Sequence, residues 1–298
     1  MAREKLSKLQ HKEKRATFAI VSTIIMAIYS FTLIFPLLWA ILSSLKGAND
    51  FVLRPFDLPS RWRFEHYVDA FTKLTVKIEM GNTSRRVYLA EMFAYSLYIS
   101  IVFALVAEFS RAACAYCAAK FRNHREMRFM HSMVVALLVI SLPSSLAAAI
   151  VMRQTYGIYD NIIGETVIQI GFTGTNFLYY YASFKGVSTG YMEAARIDGA
   201  GEYTIFFKIM LPLIKGTFLA LFILDFIGIW NNYKISLEYL PSFPVVAYGL
   251  YVFRSSSAAT NVPLQLAGCS LVILPTLVLF MIFKNKLIGS LSIGGLKG

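Results

Sequence analysis

Three ionisable side chains stand inside long apolar stretches of the sequence: Glu108, Arg111 and Asp225. Glu108 and Arg111 are three residues apart, so in a helix they share a face and can form an ion pair. A bare carboxylate such as that of Asp225 is costly in an apolar environment, which predicts either a pairing inside a helix bundle or a position along a polar path. The alternative chemistry is ion coupling, in which Glu108, Asp225 and Glu165 hold an ion near the membrane midplane.

A second group of side chains has the chemistry of a sugar site. The run from Trp230 to Tyr233 places aromatic rings beside amides, and rings cover the apolar faces of sugars while amides bond their hydroxyls. Packing between helices explains Trp230 and Asn231 equally well. A preceding apolar segment is rich in polar residues, which should face other helices or a water-filled path. The candidate residues for a translocation path are Asn176, Tyr180, Trp230, Asn231 and Tyr233.

Motifs for catalysis and for metal binding are absent from the sequence. There is no Gly-Lys dipeptide and therefore no P-loop, and neither H-E-x-x-H nor a dinucleotide glycine pattern occurs. Cys114 and Cys117 form a C-x-x-C inside an apolar helix, without the second pair that a zinc site requires. We expect no catalytic residue, no metal ligand and no disulfide. Because there is no P-loop, we also expect that the chain itself does not hydrolyse ATP.

The composition describes a membrane protein. Of 298 residues, 57% are hydrophobic and 15% charged, which is too apolar for an ordinary soluble domain and too long for a single anchor. The net charge of +12 is spread among loops rather than collected on one face. Membrane orientation explains this distribution better than nucleic-acid binding does.

Six apolar segments of spanning length follow one another along the chain, which predicts an all-α polytopic membrane protein with six transmembrane helices. Six Lys or Arg residues within 1–16 place the start of the chain inside, and basic residues after the second segment give a second inside signal. The predicted spans are about 17–44, 92–119, 129–152, 162–184, 216–237 and 262–283. Both termini are then cytoplasmic, with 1–16 a basic N-terminus, 17–288 a transmembrane domain and 289–298 a cytoplasmic tail.

The first outer segment fits this topology least well. It runs from Lys46 to about Ala90 and carries eight basic residues, against the orientation rule. A short amphipathic piece is predicted near Glu65 to Phe71. A substrate-delivering partner is one explanation for the positive charge.

The interval between the fourth and fifth spans, residues 186–213, is polar and punctuated by glycine, and we name it the coupling loop. Good helix formers between Gly190 and Asp198 predict a short exposed helix that ends at Gly199. Apolar residues then recur at helical spacing from Glu202, which predicts an amphipathic helix along a membrane surface, with Pro212 in the first turn of the next helix. Small residues leave one face bare, so another protein can approach closely.

The coupling loop resembles the E-A-A, three residues, G, nine residues, I-x-L-P motif of permease subunits in binding-protein-dependent ABC importers. Phe226 to Tyr233 (F-I-G-I-W-N-N-Y) and Gly294 to Gly298 (G-G-L-K-G) are similar to runs in the carbohydrate branch typified by the smaller maltose permease. Together with matching regions in span two, the resemblance covers nearly the whole chain. Asp225 and the basic first outer loop have no counterpart in the pattern.

The resemblance implies a division of labour among subunits. Residues expected to contact a cytoplasmic ATPase are Glu193, Ala194, Ala195, Asp198, Gly199, Ile209, Leu211 and Pro212, together with tail residues Gly295, Lys297 and Gly298. The implied partners are a second non-identical permease, two ATPase subunits and an extracytoplasmic solute-binding protein. ATP and magnesium then belong to the ATPase subunits, this chain carries no cofactor, and it resides as a multi-pass subunit in the bacterial cytoplasmic (inner) membrane.

Overall fold

The computed structural model describes residues 2–80, 83–140, 145–171, 174–255 and 261–293, which are mostly helical. The helices are α1 (Ala2–Ser44), α2 (Ala48–Leu53), α3 (Glu65–Lys73), α4 (Leu89–Lys120), α5 (Arg125–Val139), α6 (Leu146–Thr155), α7 (Ile162–Ile168), α8 (Thr175–Gly186), α9 (Gly190–Ile197), α10 (Glu202–Thr204), α11 (Leu211–Leu213), α12 (Lys215–Trp230), α13 (Val246–Ser255) and α14 (Val262–Ile293). Two π-helical turns are π1 (Ile205–Met210) and π2 (Ile235–Tyr239), and two strands are β1 (Thr75–Met80) and β2 (Thr83–Tyr88).

The chain divides into two compact units, Met1–Phe71 with Ser257–Leu271 and Thr72–Ser256 with Val272–Gly298. In the first unit the end of α1 is tied to the residues that follow it. Lys46 is almost fully buried, and its Nζ donates to the backbone oxygens of Arg54 and Pro55 at 2.7 and 3.0 Å. Buried charge is thereby matched by backbone acceptors, which lowers the cost of burying it.

The second unit is organised around α4, which packs against α8 and α12. Small residues make this close approach possible, since Ala104, Ala112, Ala115 and Ala118 on α4 are all buried. Phe177 and Phe184 of α8 and Leu221 of α12 belong to the same apolar core as the last three of these alanines. Helix α4 is therefore the central element of this unit.

An antiparallel hairpin precedes α4 and was not predicted. Strand β1 pairs with β2 from Thr75 opposite Tyr88 to Met80 opposite Thr83. The signal for it was present, because Val76, Ile78 and Met80 alternate with polar residues and are followed by a Gly-Asn pair. The short helix predicted near Glu65 to Phe71 is confirmed as α3.

The prediction of six spans is only partly met. By length and composition, two helical segments within the described residues could cross a membrane, Thr17–Ser44 and Leu89–Lys120. A third is obtained if Glu202–Leu213 and Lys215–Trp230, bent by 79°, count as one span. Helix α1 extends N-terminally to Ala2 and continues through Pro36.

The predicted third and fourth spans each correspond to two helices among the described residues. The third corresponds to α5 and α6, with Pro143 between them outside the described residues. The fourth corresponds to α7 and α8, and Gly174 before α8 has a φ of 130°. Only glycine adopts that conformation readily, so the sequence there ends one helix and starts another. Hydropathy alone does not register such a break.

Candidate functional site

A polar cluster formed by Glu108, Arg111, Asn176, Tyr180 and Asp225 lies where α4, α8 and α12 meet. The side chain of Glu108 is 0% exposed and pairs with Arg111 one turn away on α4. Nη1 of Arg111 also donates to Oδ2 of Asp225 on α12 at 2.6 Å. One guanidinium therefore serves two carboxylates on different helices, and the pairing predicted for Glu108, Arg111 and Asp225 is present.

Asn176 and Tyr180 supply the remaining donors from α8. Nδ2 of Asn176 donates to Oε1 of Glu108 at 2.8 Å and to Oδ1 of Asp225 at 3.3 Å. The Tyr180 hydroxyl, on a fully buried side chain, donates to Oε2 of Glu108 at 2.7 Å. Two residues predicted to line a path thus bond to the acidic groups, and the cluster links three helices.

The carboxylates that an ion-coupled transporter would use are engaged with guanidinium groups. Glu108 and Asp225 share Arg111, while Glu165 forms a two-point ion pair with Arg153 at 2.8 and 2.9 Å. Arg153 lies 3.8 Å from the centre of the Tyr239 ring as well. Burial raises the pKa of the Tyr239 phenol, and the negative charge of Glu238 acts in the same direction. These pairings favour a structural role for the acidic residues.

The first helix of the coupling loop, α9, presents one face outward and one inward. Met192 and Ala195 are buried, whereas Glu193, Ala194 and Asp198 are exposed. Glu193 lies in the first turn, where a negative charge is favoured by the helix dipole. Ala195, which is predicted to contact a partner, belongs to this chain's own apolar core.

The end of α9 requires glycine. Gly199 has a φ of 80°, and its backbone N–H donates to the Arg196 oxygen at 3.0 Å while Ala200 N–H donates to the Ala195 oxygen at 2.9 Å. A Cβ on Gly199 would meet nothing within 4 Å. Backbone conformation rather than space explains this glycine.

The second half of the coupling loop is helical throughout, as predicted, with a π-helical segment in its middle. It consists of α10, π1 and α11, and Ile205, Phe206 and Met210 within π1 are buried. Ile209 and Leu211 are partly buried against the same core, while Pro212 is exposed in the first turn of α11. The motif residues Ile209 and Leu211 thus anchor the loop to the core of this chain.

Two apolar side chains on the coupling loop are strongly exposed, and neither was among the residues predicted to contact a partner. Ile197 is 86% exposed and Tyr203 is 85% exposed. The neighbouring Arg196 and Glu202 form an ion pair, with Nη2 2.7 Å from Oε1. Exposed apolar residues beside charges are typical of partner-binding surfaces. The sequence alone does not show which side chains are exposed, so this surface could be identified only from the structure.

The remaining predicted path residues lie at the other end of α12. Trp230 is 1% exposed and stacks on Phe226 with ring centroids 5.8 Å apart, so its ring is closed to a ligand. Asn231 is exposed and its Nδ2 donates to the Ile227 oxygen. Tyr233 stacks on Tyr251 at 4.7 Å. Gly295, Lys297 and Gly298 lie outside the described residues.

The fold and the coupling loop define a helical membrane transport subunit. Residues 112–291 match the family described as binding-protein-dependent transport system inner membrane component, and the chain belongs to this family. The resemblance noted in the sequence is thereby confirmed, and the chain is an inner membrane permease component.

Two curated relatives match along nearly their whole length. The chain is 30% identical over 296 residues to the arabinooligosaccharides transport system permease protein AraQ of Halalkalibacterium halodurans, covering 96% of this chain and 100% of that protein. It is 25% identical over 281 residues to the diacetylchitobiose uptake system permease protein NgcG of Streptomyces coelicolor, covering 93% of this chain and 88% of that protein.

A solved structure shares the fold. The match is to a chain in the crystal structure of a bacterial ABC transporter involved in the import of the acidic polysaccharide alginate, with a TM-score of 0.72 and 19% identity. It covers 90% of this chain and 95% of that chain. The helical arrangement around α4 is therefore one that an ABC importer uses.

Proposed function

We propose that this chain is a transmembrane permease subunit of an ATP-driven importer for a carbohydrate or oligosaccharide, with ATP hydrolysed on a separate subunit. Substrate crosses by alternating access. Closure of the ATPase pair moves the coupling loop as a rigid element, and the permease pair opens outward to receive substrate. Membership of the permease family is the observation that carries this proposal.

The surface of the coupling loop supports docking of an ATPase. Glu193, Asp198 and Gly199 are exposed together with the apolar side chains of Ile197 and Tyr203. The exposed apolar residues provide surface that a partner can bury, and the charges fix the orientation in which the partner binds.

The packing beneath that surface supports transmission of movement. Met192 and Ala195 of α9 belong to the same apolar core as Tyr116 of α4 and Tyr180 of α8. Packed cores transmit displacement because they are not continuously deformable. A force on α9 therefore reaches the helices that carry the polar cluster.

The names of the relatives support the substrate class. One is a permease for arabinooligosaccharides and another for diacetylchitobiose uptake. Both are oligosaccharides, and both proteins match this chain over most of their length. A carbohydrate or oligosaccharide is the substrate class that these relatives share.

The assembly that we propose has a second non-identical permease, two ATPase subunits and an extracytoplasmic solute-binding protein. ATP and magnesium bind the ATPase subunits. Both termini and the coupling loop face the cytoplasm, and six membrane crossings within 17–288 include the broken pairs α5 with α6 and α7 with α8. The 289–298 tail reaches the ATPase subunits.

A pull-down of the tagged chain in mild detergent tests the proposal. Mass identification should find an ATPase, a second permease and a solute-binding protein, and uptake should survive collapse of ion gradients while ATP is maintained. Glu193→Lys should abolish ATPase co-purification without affecting membrane insertion. The matched control is Asp57→Lys, the same charge reversal at an exposed carboxylate distant in sequence. Isolation of the chain alone, or uptake that stops with the ion gradient, would refute the importer.

A further inference from the structure

Three tyrosines form a stack beyond the end of α12. The Tyr233 and Tyr251 rings are 4.7 Å apart at an interplanar angle of 9°, and the Tyr248 and Tyr251 rings are 6.2 Å apart at 20°. Tyr251 is 44% exposed and the other two rings are half-buried. Tyr251, which contacts both other rings, is the most exposed member of this tyrosine stack.

Amides flank the tyrosine stack. Asn231 and Asn232 are both exposed and directly precede Tyr233. Asn231 uses its Nδ2 on the Ile227 oxygen, and Asn232 uses its Oδ1 to accept from Lys234 N–H at 3.1 Å. One amide oxygen and one amide nitrogen therefore remain available, as do the three phenolic hydroxyls, because no hydrogen bond engages them within the part of the chain that the structure describes.

The backbone around the stack is held by side-chain bonds. Asp160, in the left-handed region with a φ of 55°, accepts from Ser242 N–H at 2.9 Å and from its hydroxyl at 2.6 Å. The Ser96 hydroxyl on α4 accepts from Val246 N–H at the start of α13 at 2.7 Å. The Ser236 hydroxyl, three residues after Tyr233, accepts from Val245 N–H at 2.9 Å and ties this segment to the start of α13. The segments that carry the three tyrosines are therefore linked before any ligand arrives, which reduces the entropy lost on binding.

The stack is also far from the coupling loop. Helix α12 begins at Lys215, directly after that loop, and ends at Trp230. Its length is about 24 Å at 1.5 Å per residue. A site here is therefore separate from the ATPase-docking surface.

We propose that Tyr233, Tyr248 and Tyr251, with Asn231 and Asn232, form a carbohydrate-contacting site on this chain. An oligosaccharide lays the apolar face of a sugar ring on the stack, and its hydroxyls bond the amides and phenols. The residues have the mixture of aromatic and amide groups that a neutral sugar requires. This inference rests on the proposed function and adds that this permease itself touches the substrate.

Transport by the intact, reconstituted transporter provides the first test. Diacetylchitobiose, an arabinooligosaccharide and maltotriose are offered separately, and the transported one is used thereafter. If none is transported, the proposed function fails. If one is transported, its transport rate is measured with the solute-binding protein saturated with sugar and in excess. Tyr233→Leu and Tyr251→Leu should each lower this rate by about tenfold, because each removes one aromatic contact with the sugar. The ring-preserving changes Tyr233→Phe and Tyr251→Phe should remain within about threefold of wild type.

The control is Tyr156→Leu, which removes an exposed tyrosine that lies outside the stack and should leave transport unchanged. Wild-type transport in both leucine variants would overturn the site while leaving the importer intact.

A second measurement does not depend on the leucine variants folding. Wild-type protein labelled with 3-fluorotyrosine is examined by fluorine NMR, with the Tyr233 and Tyr251 resonances assigned from the phenylalanine variants. Both resonances should shift on addition of the transported sugar, whereas that of Tyr156 should not. Stationary Tyr233 and Tyr251 resonances at saturating sugar would contradict the proposal and would assign the stack to packing against lipid or another subunit.

Discussion

The hydroxyl of Tyr180 donates a 2.7 Å hydrogen bond to Oε2 of Glu108, while the ring of the same tyrosine lies in the apolar core that contains Met192 and Ala195 of α9. One side chain thereby belongs both to the polar cluster and to the core under the coupling loop. A change in the position of α9 alters packing around that ring. The hydrogen bond to Glu108 is the contact through which such a change reaches the charges on α4 and α12.

Removal of Arg111 should be strongly destabilising. Arg111→Met leaves two carboxylates without their shared cation, and loss of one partner of a buried pair costs about 3–5 kcal/mol. Thermal unfolding in detergent should show a large fall in the unfolding temperature. The triple variant Arg111→Met, Glu108→Gln, Asp225→Asn should recover most of it, because no charge is then left unpaired. Unfolding of the single variant at the wild-type temperature would contradict the pairing.

Gly199 should resist substitution even by alanine. A residue with a Cβ that adopts its φ of 80° destabilises the folded state by about 1–2 kcal/mol, although there is space for the Cβ. Hydrogen exchange at the Ala200 amide, which bonds the Ala195 oxygen, should accelerate about tenfold in Gly199→Ala. Gly201→Ala is the matched control, since Gly201 has a φ of −72° and equal space. Equal exchange rates of the Ala200 amide in the two variants would show that the left-handed conformation of Gly199 does not stabilise the end of α9.

Gly249 should resist substitution for the opposite reason. A Cβ there would lie 2.5 Å from Sδ of Met92 and 2.9 Å from Cδ2 of Leu74. Overpacking of this kind costs about 1–3 kcal/mol, so Gly249→Ala should lower the unfolding temperature. Gly228→Ala, with nothing within 4 Å, should not. In a double-mutant cycle, Gly249→Ala with Met92→Ala should lose less than the sum of the single losses, and additive losses would rule out the clash.

The turn between Asp50 and Ser60 should weaken in acid. Ser60 N–H donates to Oδ2 of Asp50 at 3.0 Å, and this bond lowers the pKa of the Asp50 carboxyl below its ordinary value near 3.8. A lowered pKa means that the stabilisation is complete above the ordinary value and is lost as pH falls through the lower, folded one. Ser60 amide protection, corrected for intrinsic exchange, should therefore be constant near pH 6 and fall below about pH 4.

The control for the Ser60 exchange experiment replaces the Asp50 carboxylate with a neutral amide. Asp50→Asn should remove the pH dependence of Ser60 protection, whereas Asp57→Asn should keep it. A Ser60 amide whose protection does not change with pH in the wild-type chain would show that the carboxylate does not hold the turn.

Local signals in the sequence were sufficient for the coupling loop. Glycine at 199 and good helix formers before it give α9 because both act within a few residues. The hairpin of β1 and β2 was missed although Val76, Ile78 and Met80 alternate correctly, since the surrounding segment was interpreted by charge. Both the coupling loop and the hairpin have local sequence signals. The hairpin was missed only because its segment was examined for charge and not for alternating apolar residues.

Long-range relationships could not be obtained from the sequence. The pairing of Glu108 with Arg111 follows from helical spacing, but the bond from Arg111 to Asp225 joins residues 114 positions apart. Which cation meets a given carboxylate depends on how α4 and α12 pack. The same holds for Ala195, whose inward orientation is set by the core around it rather than by the motif to which it belongs.

The sharing of Arg111 also fixes an order of events during biogenesis. When α4 is synthesised, Glu108 and Arg111 already stand one turn apart and can enter the bilayer as a neutral pair. Asp225 leaves the ribosome much later and has no cation within the apolar body of α12. Its insertion becomes favourable once α4 is in place to receive it. The first half of the chain is therefore the template on which α12 packs, and a chain that stopped before residue 225 would lack the second carboxylate that Arg111 binds.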